Sequence, residues 1–353
     1  MKILILGVNG FIGNSLVKRI MDTTDWEVYG MDLSCHKLSH SLANPRFKYI
    51  EGDISINKEW IEYHVKKCDV VLPLVAIATP KAYVERPLEV FGIDFEENLK
   101  VIRYCVKYRK RVIFPSTSEV YGMCTDQEFD EEKSRLVLGP IHKQRWIYSC
   151  SKQLMDRVIW AYGAQQKLQF TLIRPFNWIG PKLDDIDSAL EGSSRVVTQF
   201  IINLVKREPI NLVDGGSQKR CFTYVEDGID CLMEIIRNSD NRCDGQIFNI
   251  GAPGNECSVK DLAERLLGLF RAHPDHAHDP AYSDIIGTSH QDYYGKDYED
   301  ILYRRPSIQK ARSILGWEPR TSLDDALKYT LDFFLEEIKA MGDDAKVQPR
   351  CAR

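Results

Sequence analysis

The sequence lacks a long apolar run and an excess of basic residues. No apolar stretch among its 353 residues is long enough to span a bilayer, so a membrane protein is not expected. The formal net charge is -4, and Lys and Arg are mixed with Asp and Glu, which argues against binding to nucleic acid. These features favour a soluble globular protein with a small-molecule partner.

The sequence also lacks any regular pattern of metal ligands or cysteines. Its ten cysteines are scattered without a CxxC pair, which argues against a zinc site or a disulfide framework and favours reduced thiols in a cytoplasm. The segment with His273, His276 and His278 has no acidic or Cys partner at ligand spacing. No metal is therefore expected.

What the sequence does contain is an alternation of short apolar runs and helix-like segments. The runs at 2–7, 26–32, 47–53, 69–76, 111–118 and 170–176 predict strands of an α/β Rossmann fold with a doubly wound parallel sheet. After residue 175 the alternation loosens. A strand at 208–215, a helix from Val225, a strand at 245–251 and helices at 258–270 and 322–338 predict a smaller C-terminal lobe.

The stretch GVNGFIG, residues 7–13, follows the first strand and opens the first helix. Gly7 permits a tight turn, Gly10 lets the backbone approach a pyrophosphate, and Gly13 lets the helix pack closely. The spacing is GxxGxxG rather than GxGxxG, and a ligand-free turn is the alternative. The context favours a dinucleotide site that includes Phe11 and Ile12.

Two strand ends predict the rest of the cofactor site. Asp32 lies about 20 residues beyond the glycines, where a carboxylate accepts hydrogen bonds from a ribose 2'-hydroxyl and repels a 2'-phosphate, so NAD is favoured over NADP. Asp53, followed by Ile54, is placed to bind the adenine, with a simple turn role as the alternative. Small residues at 75–80, including Ala76, let backbone run beside the cofactor.

Two further stretches indicate chemistry. Tyr148 and Lys152 form YxxxK, which places both side chains on one face of a helix, where an ammonium lowers the pKa of a tyrosine base. PSTSEVYG, residues 115–122, sets Thr117, Ser118 and Glu119 where an apolar strand ends. Hydroxyl donors and a carboxylate beside a tyrosine base suit oxidation of an alcohol.

Taken together, these motifs resemble the short-chain dehydrogenase/reductase superfamily, in its extended branch that acts on nucleotide sugars, over about residues 1–340. The resemblance implies that Thr117 or Ser118 orients the substrate, that Tyr148 is the base with Lys152 as its partner, and that the protein is a homodimer. In the 4,6-dehydratases of the family the strand end reads TDE. Here Ser118 stands at the Asp position, so dehydration lacks its acid.

TSE, together with EGDISI, RYCVKYRKR, RWIYSCSKQL and GGSQKRCFT, resembles the UDP-glucuronate decarboxylase group, including the decarboxylase domains of bacterial bifunctional polymyxin-resistance proteins. The glycine turn begins at residue 7, so the formyl transfer of those bifunctional proteins is not expected. The resemblance implies Arg304 as the partner of Glu119, with Arg305 as the alternative. It implies substrate contacts from Ala78, Tyr83, Arg145, Asn177 and Tyr298, and diphosphate contacts from 211–220, above all Lys219 and Arg220.

The resemblance therefore implies NAD-dependent oxidative decarboxylation of UDP-glucuronate to UDP-4-keto-pentose, CO2 and NADH. Two alternatives remain open: a UDP-xylose synthase that reduces the ketone again, and a catalytically silent nucleotide-sensing scaffold. The predicted parts are a mainly NAD-binding domain at 1–175, a mainly UDP-sugar-binding lobe at 176–340 with some return to the sheet, and a flexible tail at 341–353.

Overall fold

The structure is a computed structural model that describes residues 1–276, 285–289, 292–293 and 299–347, and of 342–347 the backbone. Within these residues the central sheet has seven strands. They are β1 (Lys2–Leu6), β2 (Glu27–Asp32), β3 (Phe47–Glu51), β4 (Val70–Pro73), β5 (Arg111–Pro115), β6 (Phe170–Pro175) and, much later in the chain, β11 (Gln246–Ile250).

All neighbouring strands of this sheet are parallel, and their order is β11-β6-β5-β4-β1-β2-β3. The chain builds outward from β1 to β3 on one side and then crosses to β4 and β5 on the other. The prediction of a doubly wound Rossmann sheet is therefore confirmed. Ligands of such sheets bind beyond the carboxyl ends of the strands, where the strand order reverses between β1 and β4.

Helices cover both faces of the sheet. In the first half of the chain they are α1 (Phe11–Thr23), α2 (Ser39–Leu42), α3 (Lys58–Lys67), α4 (Pro80–Glu85), α5 (Pro87–Phe91), α6 (Asn98–Tyr108) and α7 (Trp146–Gln166). A π-helical turn, Gly92–Glu97, joins α5 to α6. The second half contains α8 (Ile186–Leu190), α9 (Val196–Lys206), α10 (Val225–Arg237), α11 (Val259–Ala272) and α12 (Leu323–Val347).

Alternation along β1 shows how the sheet divides the apolar core. Ile3 and Ile5 pack with residues of α1 and α10 on one face, whereas Leu4 and Leu6 pack with residues of α3, α6 and α7 on the other. All four side chains are fully buried. A strand that is apolar on both faces is the pattern expected of a parallel sheet covered on each side by helices.

The smaller lobe is built from short strand pairs and helices. Its strands are β7 (Trp178–Ile179), β8 (Ile210–Val213), β9 (Lys219–Cys221), β10 (Thr223–Tyr224), β12 (Glu256–Ser258) and β13 (Ile285–Thr288). β7 pairs with β10 and β8 with β13 in parallel, and β9 pairs with β12 antiparallel. The division at residue 175 stays a prediction.

The last helix is longer than the sequence pattern indicated. It continues to Val347, past position 341, where the tail was predicted to begin. The rest of that tail, 348–353, lies outside the described residues. Of the helices that the structure describes, none has the length and apolar character that a bilayer crossing needs.

Candidate active site

A cavity of about 1050 Å³ opens beyond the carboxyl ends of β1, β4, β5 and β6. This volume is at the upper end for small-molecule pockets, so more than one ligand can be accommodated. It is lined by the following residues from the sequence predictions: Gly7, Gly10, Phe11, Ile12, Gly13, Ala76, Ala78, Tyr83, Thr117, Ser118, Glu119, Tyr148, Lys152, Asn177, Arg220 and Arg304.

Close packing at the glycine turn requires glycine at two positions. Gly7 has a φ of +84°, a conformation that residues with side chains rarely adopt. A Cβ atom on Gly13 would lie 2.3 Å from the carbonyl oxygen of Gly7, so only glycine lets α1 start this close to β1. Gly10 occupies the N-cap position of α1, whose N-terminus therefore borders the cavity and suits the pyrophosphate of a dinucleotide.

Asp32 is fixed against this turn. Its carboxylate accepts hydrogen bonds from the backbone N–H groups of Asn9 (2.7 Å) and Leu33 (2.8 Å). Burial raises the pKa of Asp32, and these backbone hydrogen bonds oppose the rise. A carboxylate held at the end of β2, beside the glycine turn, has the placement predicted for a group that binds the ribose of the cofactor.

Asp53 and Ile54 make local contacts instead. Oδ1 of Asp53 accepts hydrogen bonds from the N–H (2.7 Å) and the hydroxyl (2.6 Å) of Ser55, and Ile54 is buried in the core. These contacts match the turn role that was the alternative for Asp53. The described lining of the cavity does not include Asp32, Asp53, Ile54, Arg145 or Lys219, and adenine contacts from Asp53 and Ile54 remain a prediction.

Tyr148 lies in the first turn of α7 and is buried. Its ring stacks on that of Tyr83, with centroids 4.6 Å apart and planes tilted by 6°. Burial and the charges of Asp94 and Glu119 raise the pKa of Tyr148 well above its ordinary value, whereas a hydrogen bond with Thr117 acts in the opposite direction. Tyr148 is therefore protonated at neutral pH in this arrangement.

Lys152 follows one turn later and is also buried. Its ammonium donates to the backbone carbonyl of Pro115 at 3.2 Å and forms an ion pair with Oδ1 of Asp94 at 3.1 Å. It lies 5.8 Å from the centroid of the Tyr148 ring. Tyr148 and Lys152 therefore share one face of α7, as the sequence spacing predicted.

Glu119 lies in a cluster of arginines at the end of β5. Thr117 caps the 3₁₀ turn Ser118–Tyr121 by accepting the N–H of Glu119, which holds the carboxylate at the cavity. Arg145 contacts one carboxylate oxygen at 2.8 Å, and Arg304 contacts the other at 3.4 Å. Burial alone would raise the pKa of Glu119, but these guanidinium groups outweigh it and lower the pKa, so Glu119 is ionised.

Arg304 also reaches the hydroxyl of Ser118, at 3.4 Å. Burial lowers the pKa of Arg304; Glu119 opposes this, and the charges of Arg220 and Arg145 add to it. Arg305, the alternative raised by the sequence, pairs with Glu128 at 3.0 Å, and both side chains are exposed. The structure thus brings Arg304, and not Arg305, to Glu119.

The predicted diphosphate residues are separated in the structure. Arg220 lines the cavity and pairs with Asp300 at 2.7 Å, whereas Lys219 is exposed at the surface. Tyr298 and His278 lie outside the described residues. In the described part of the chain no group of three His, Cys, Asp or Glu side chains could hold a metal ion.

Polar contacts join two segments that border the cavity and are far apart in sequence. Nε2 of His36 and Nζ of Lys37 each lie 2.9 Å from Oδ1 of Asp185, and Lys182 donates to the backbone carbonyl of Lys37 at 2.8 Å. The segment after β2 is thereby joined to the segment before α8. These contacts were missed because the partners are almost 150 positions apart (|i−j| = 149 for His36 and Asp185) and each lies in an ordinary polar loop.

Asp94 and Asp300 were missed as well. Asp94 sits in FGIDFEEN, where Glu96 and Glu97 make it look like one acid of a solvated helix. Only the fold shows that its side chain is fully buried against Lys152. Asp300 lies in a polar segment with no periodic pattern, so no sequence signal pointed to its contact with Arg220.

Comparison with known proteins adds to this geometry. The profile of the NAD dependent epimerase/dehydratase family matches residues 3–251. The PbgP3 protein from Burkholderia pseudomallei is 54% identical, with a TM-score of 0.87 and coverage of 96% of this chain and 97% of that chain.

Two more distant structures share the fold. UDP-glucose 4-epimerase from Thermotoga maritima, solved with UDP-glucose, is 22% identical with a TM-score of 0.79, and the match covers 96% of this chain and 100% of that chain. UDP-glucuronic acid 4-epimerase from Bacillus cereus, in complex with UDP-glucuronic acid and NAD, is 21% identical with a TM-score of 0.78 and the same coverage. At these identities the likeness shows the fold alone.

Proposed function

The chain belongs to the NAD dependent epimerase/dehydratase family, and within this family we propose that it catalyses the oxidative decarboxylation of UDP-glucuronate to UDP-4-keto-pentose, CO2 and NADH. The predicted cofactor, NAD, is confirmed at the level of the family. The residues present suit that cofactor, because the close packing at Gly13 brings the N-terminus of α1 to the cavity and the carboxylate of Asp32 is held against the same turn.

The observation that carries the proposal is the arginine cluster around Glu119. Among the described residues, the charges that act most strongly on this carboxylate are those of Arg145, Arg304 and Arg220, and of one further acid, Asp300. Guanidinium groups gathered at this point suit a substrate with a carboxylate of its own. The planar guanidinium of Arg304, at the cavity, can bind such a carboxylate in a bidentate manner.

The oxidation step assigns roles to four residues. NAD, when bound at the glycine turn, would supply the acceptor for the hydride at C4 of the sugar. Tyr148 takes the proton of the 4-hydroxyl, with Lys152 as the nearby cation that favours its phenolate. Thr117 and Ser118 donate hydrogen bonds to the oxygen as it becomes a carbonyl.

The second step follows from the product of the first. A ketone at C4 is β to the C6 carboxylate, so the C5–C6 bond breaks, CO2 leaves, and the electron pair passes into an enolate. The enolate then takes up one proton at C5, which balances the proton that Tyr148 removed from the 4-hydroxyl, and we assign Glu119 to accept this proton and pass it on to C5. Arg304 orients the departing carboxylate, since a guanidinium is a poor acid.

An assay of two products tests this proposal. UDP-glucuronate and NAD are incubated with the protein, and both CO2 and the absorbance of NADH are followed. Equal amounts of CO2 and NADH are expected, and UDP-glucose, which has no carboxylate, should give no CO2. Recovery of UDP-glucuronate and its C4 epimer without CO2 would refute decarboxylation in favour of epimerisation.

A second candidate, synthesis of UDP-xylose, uses the same residues and differs in the fate of NADH. The contacts of Lys37 and His36 with Asp185 join two segments beside the cavity, and such contacts would suit a cofactor that stays bound long enough to reduce the ketone. Formation of CO2 without net NADH, together with a pentose product identified by NMR, would support this candidate.

A further inference from the structure

Asp94 is a buried carboxylate that the proposed reaction does not use directly. It lies in the π-helical turn Gly92–Glu97, between α5 and α6, and its side chain has no exposed surface. Burying a charged group is costly unless it is paired and hydrogen-bonded. The partners of the Asp94 carboxylate therefore indicate its role.

Its two oxygens contact two different donors. Oδ1 lies 3.1 Å from the ammonium of Lys152, and Oδ2 accepts the backbone N–H of Ile77 at 2.9 Å. Ile77 stands between Ala76 and Ala78, which line the cavity. An asparagine has one acceptor oxygen and no charge, so it could not make both the hydrogen bond with Ile77 and the ion pair with Lys152.

Resting on the function proposed above, we propose that Asp94 is a positioning residue. Its carboxylate, held by the N–H of Ile77, fixes the Lys152 ammonium next to the carbonyl of Pro115, and it balances the charge of Lys152 beside Tyr148. Without Asp94, the positive charge of Lys152 would strongly favour loss of the proton from Tyr148. With Asp94 in place, the catalytic tyrosine keeps its proton until other charges in the cavity favour its release.

The surroundings of Tyr148 show which other groups take part. Thr117, from the end of β5, makes a hydrogen bond with Tyr148, and Tyr83, from α4, stacks on its ring. Charges also act on it from Asp94 in the π-helical turn, from Glu119 at the end of β5 and from Arg304, and Lys152 of α7 lies nearby. Of the charged groups, Asp94 acts more strongly on the pKa of Tyr148 than Glu119 or Arg304. Removal of its charge should therefore change the ionisation of the base.

The first test is the pH dependence of NADH formation. In Asp94→Asn the rising limb of the kcat/KM profile should shift to lower pH by about one unit, because the charge of Lys152 then acts unopposed on Tyr148. Glu97→Gln is the matched control, because Glu97 lies on the same turn but pairs with Lys100. The kcat/KM profile of this variant should match that of the unchanged protein. A profile of Asp94→Asn that is lower at every pH but unshifted would overturn the proposal.

The second test measures the stability of the protein against urea and needs no substrate. Lys152→Met leaves the carboxylate of Asp94 buried without its cation, which is strongly destabilising. Adding Asp94→Asn should therefore raise the urea midpoint of Lys152→Met, although Asp94→Asn alone lowers that of the unchanged protein. If Asp94→Asn lowered the urea midpoint equally in the unchanged protein and in Lys152→Met, Asp94 would not act through Lys152. A chain that is inactive on UDP-glucuronate would refute the proposed function, and this comparison would still decide the role of Asp94.

Discussion

Replacement of Glu119 by glutamine removes one negative charge and keeps the size of the side chain. In the structure this charge faces Arg145 at 2.8 Å and Arg304 at 3.4 Å, and 13% of the Glu119 side chain is exposed. The variant therefore removes this anion from beside two buried guanidinium groups. The glycine turn at residues 7–13 is not among these contacts, so binding of NAD should be retained.

The size of the effect follows from these contacts. Breaking a buried ion pair by removing one partner costs about 3–5 kcal/mol, and a hydrogen bond to a charged group contributes about 1.5–3 kcal/mol. Because glutamine still offers one acceptor oxygen and the site opens to the cavity, we expect a loss of about 2–3 kcal/mol in the free energy of unfolding at neutral pH. Loss of an acid–base group should lower the rate of CO2 release by about 10²–10⁴-fold.

The stability difference should depend on pH in a defined direction. The pKa of Glu119 in the folded protein is below its ordinary value of 4.5. Its contribution to stability is therefore complete above that value and is lost as the pH falls through the folded pKa. Urea unfolding of the unchanged protein and of Glu119→Gln should differ fully at neutral pH and converge in acid.

Three measurements on Glu119→Gln complete the test: CO2 release, NAD affinity by fluorescence titration, and urea unfolding across pH. Near-normal CO2 release would remove Glu119 from the mechanism. A stability difference that stays constant down to acid pH would show that the arginine cluster does not hold Glu119 ionised. Loss of NAD affinity would point to a general disturbance of the cavity.

Three further predictions concern other parts of the site. Tyr148→Phe keeps the buried ring but removes the base, so NADH should no longer form while the urea midpoint stays close to that of the unchanged protein; an ordinary rate would refute the role of Tyr148. Gly13→Ala places a Cβ atom 2.3 Å from the carbonyl of Gly7, so it should cost about 1–3 kcal/mol of stability and weaken NAD binding, and unchanged affinity would contradict the proposed cradle. Arg304→Lys should raise the KM for UDP-glucuronate about tenfold or more, whereas Arg305→Lys should not; equal effects would refute a specific contact with the carboxylate.

The sheet could be predicted because the apolar character of each strand reflects its burial. Parallel strands covered on both faces read as short apolar runs, and β1 to β6 all fall inside the predicted segments. The return of β11 to the sheet beside β6 is a long-range pairing, and its position could not be read from local pattern. The extension of the last helix to Val347 was missed because GDDAKV carries no apolar stripe.

The site was predictable where chemistry is local in sequence. GVNGFIG, TSE and YxxxK each place their side chains through one turn or one helix face, and the structure brings them to one cavity. Arg145 and Arg304 reach Glu119 from 26 and 185 positions away, and here only resemblance supplied the residues. The pair of Asp94 with Lys152 had neither kind of signal.

The charge on Glu119 also limits which reactions of the family the cavity can support. Elimination of water requires an acid to protonate the departing hydroxyl, and the position used for this acid in 4,6-dehydratases is occupied by Ser118, whose hydroxyl is too weak an acid. Glu119 cannot replace it, because Arg145 and Arg304 keep it ionised. Carbon dioxide, in contrast, leaves as a neutral molecule, so the leaving group needs no proton, and C5 takes up its proton only after the bond has broken. For a site with an ionised carboxylate and a cluster of arginines, we therefore expect loss of CO2 rather than loss of water, as the proposed function requires.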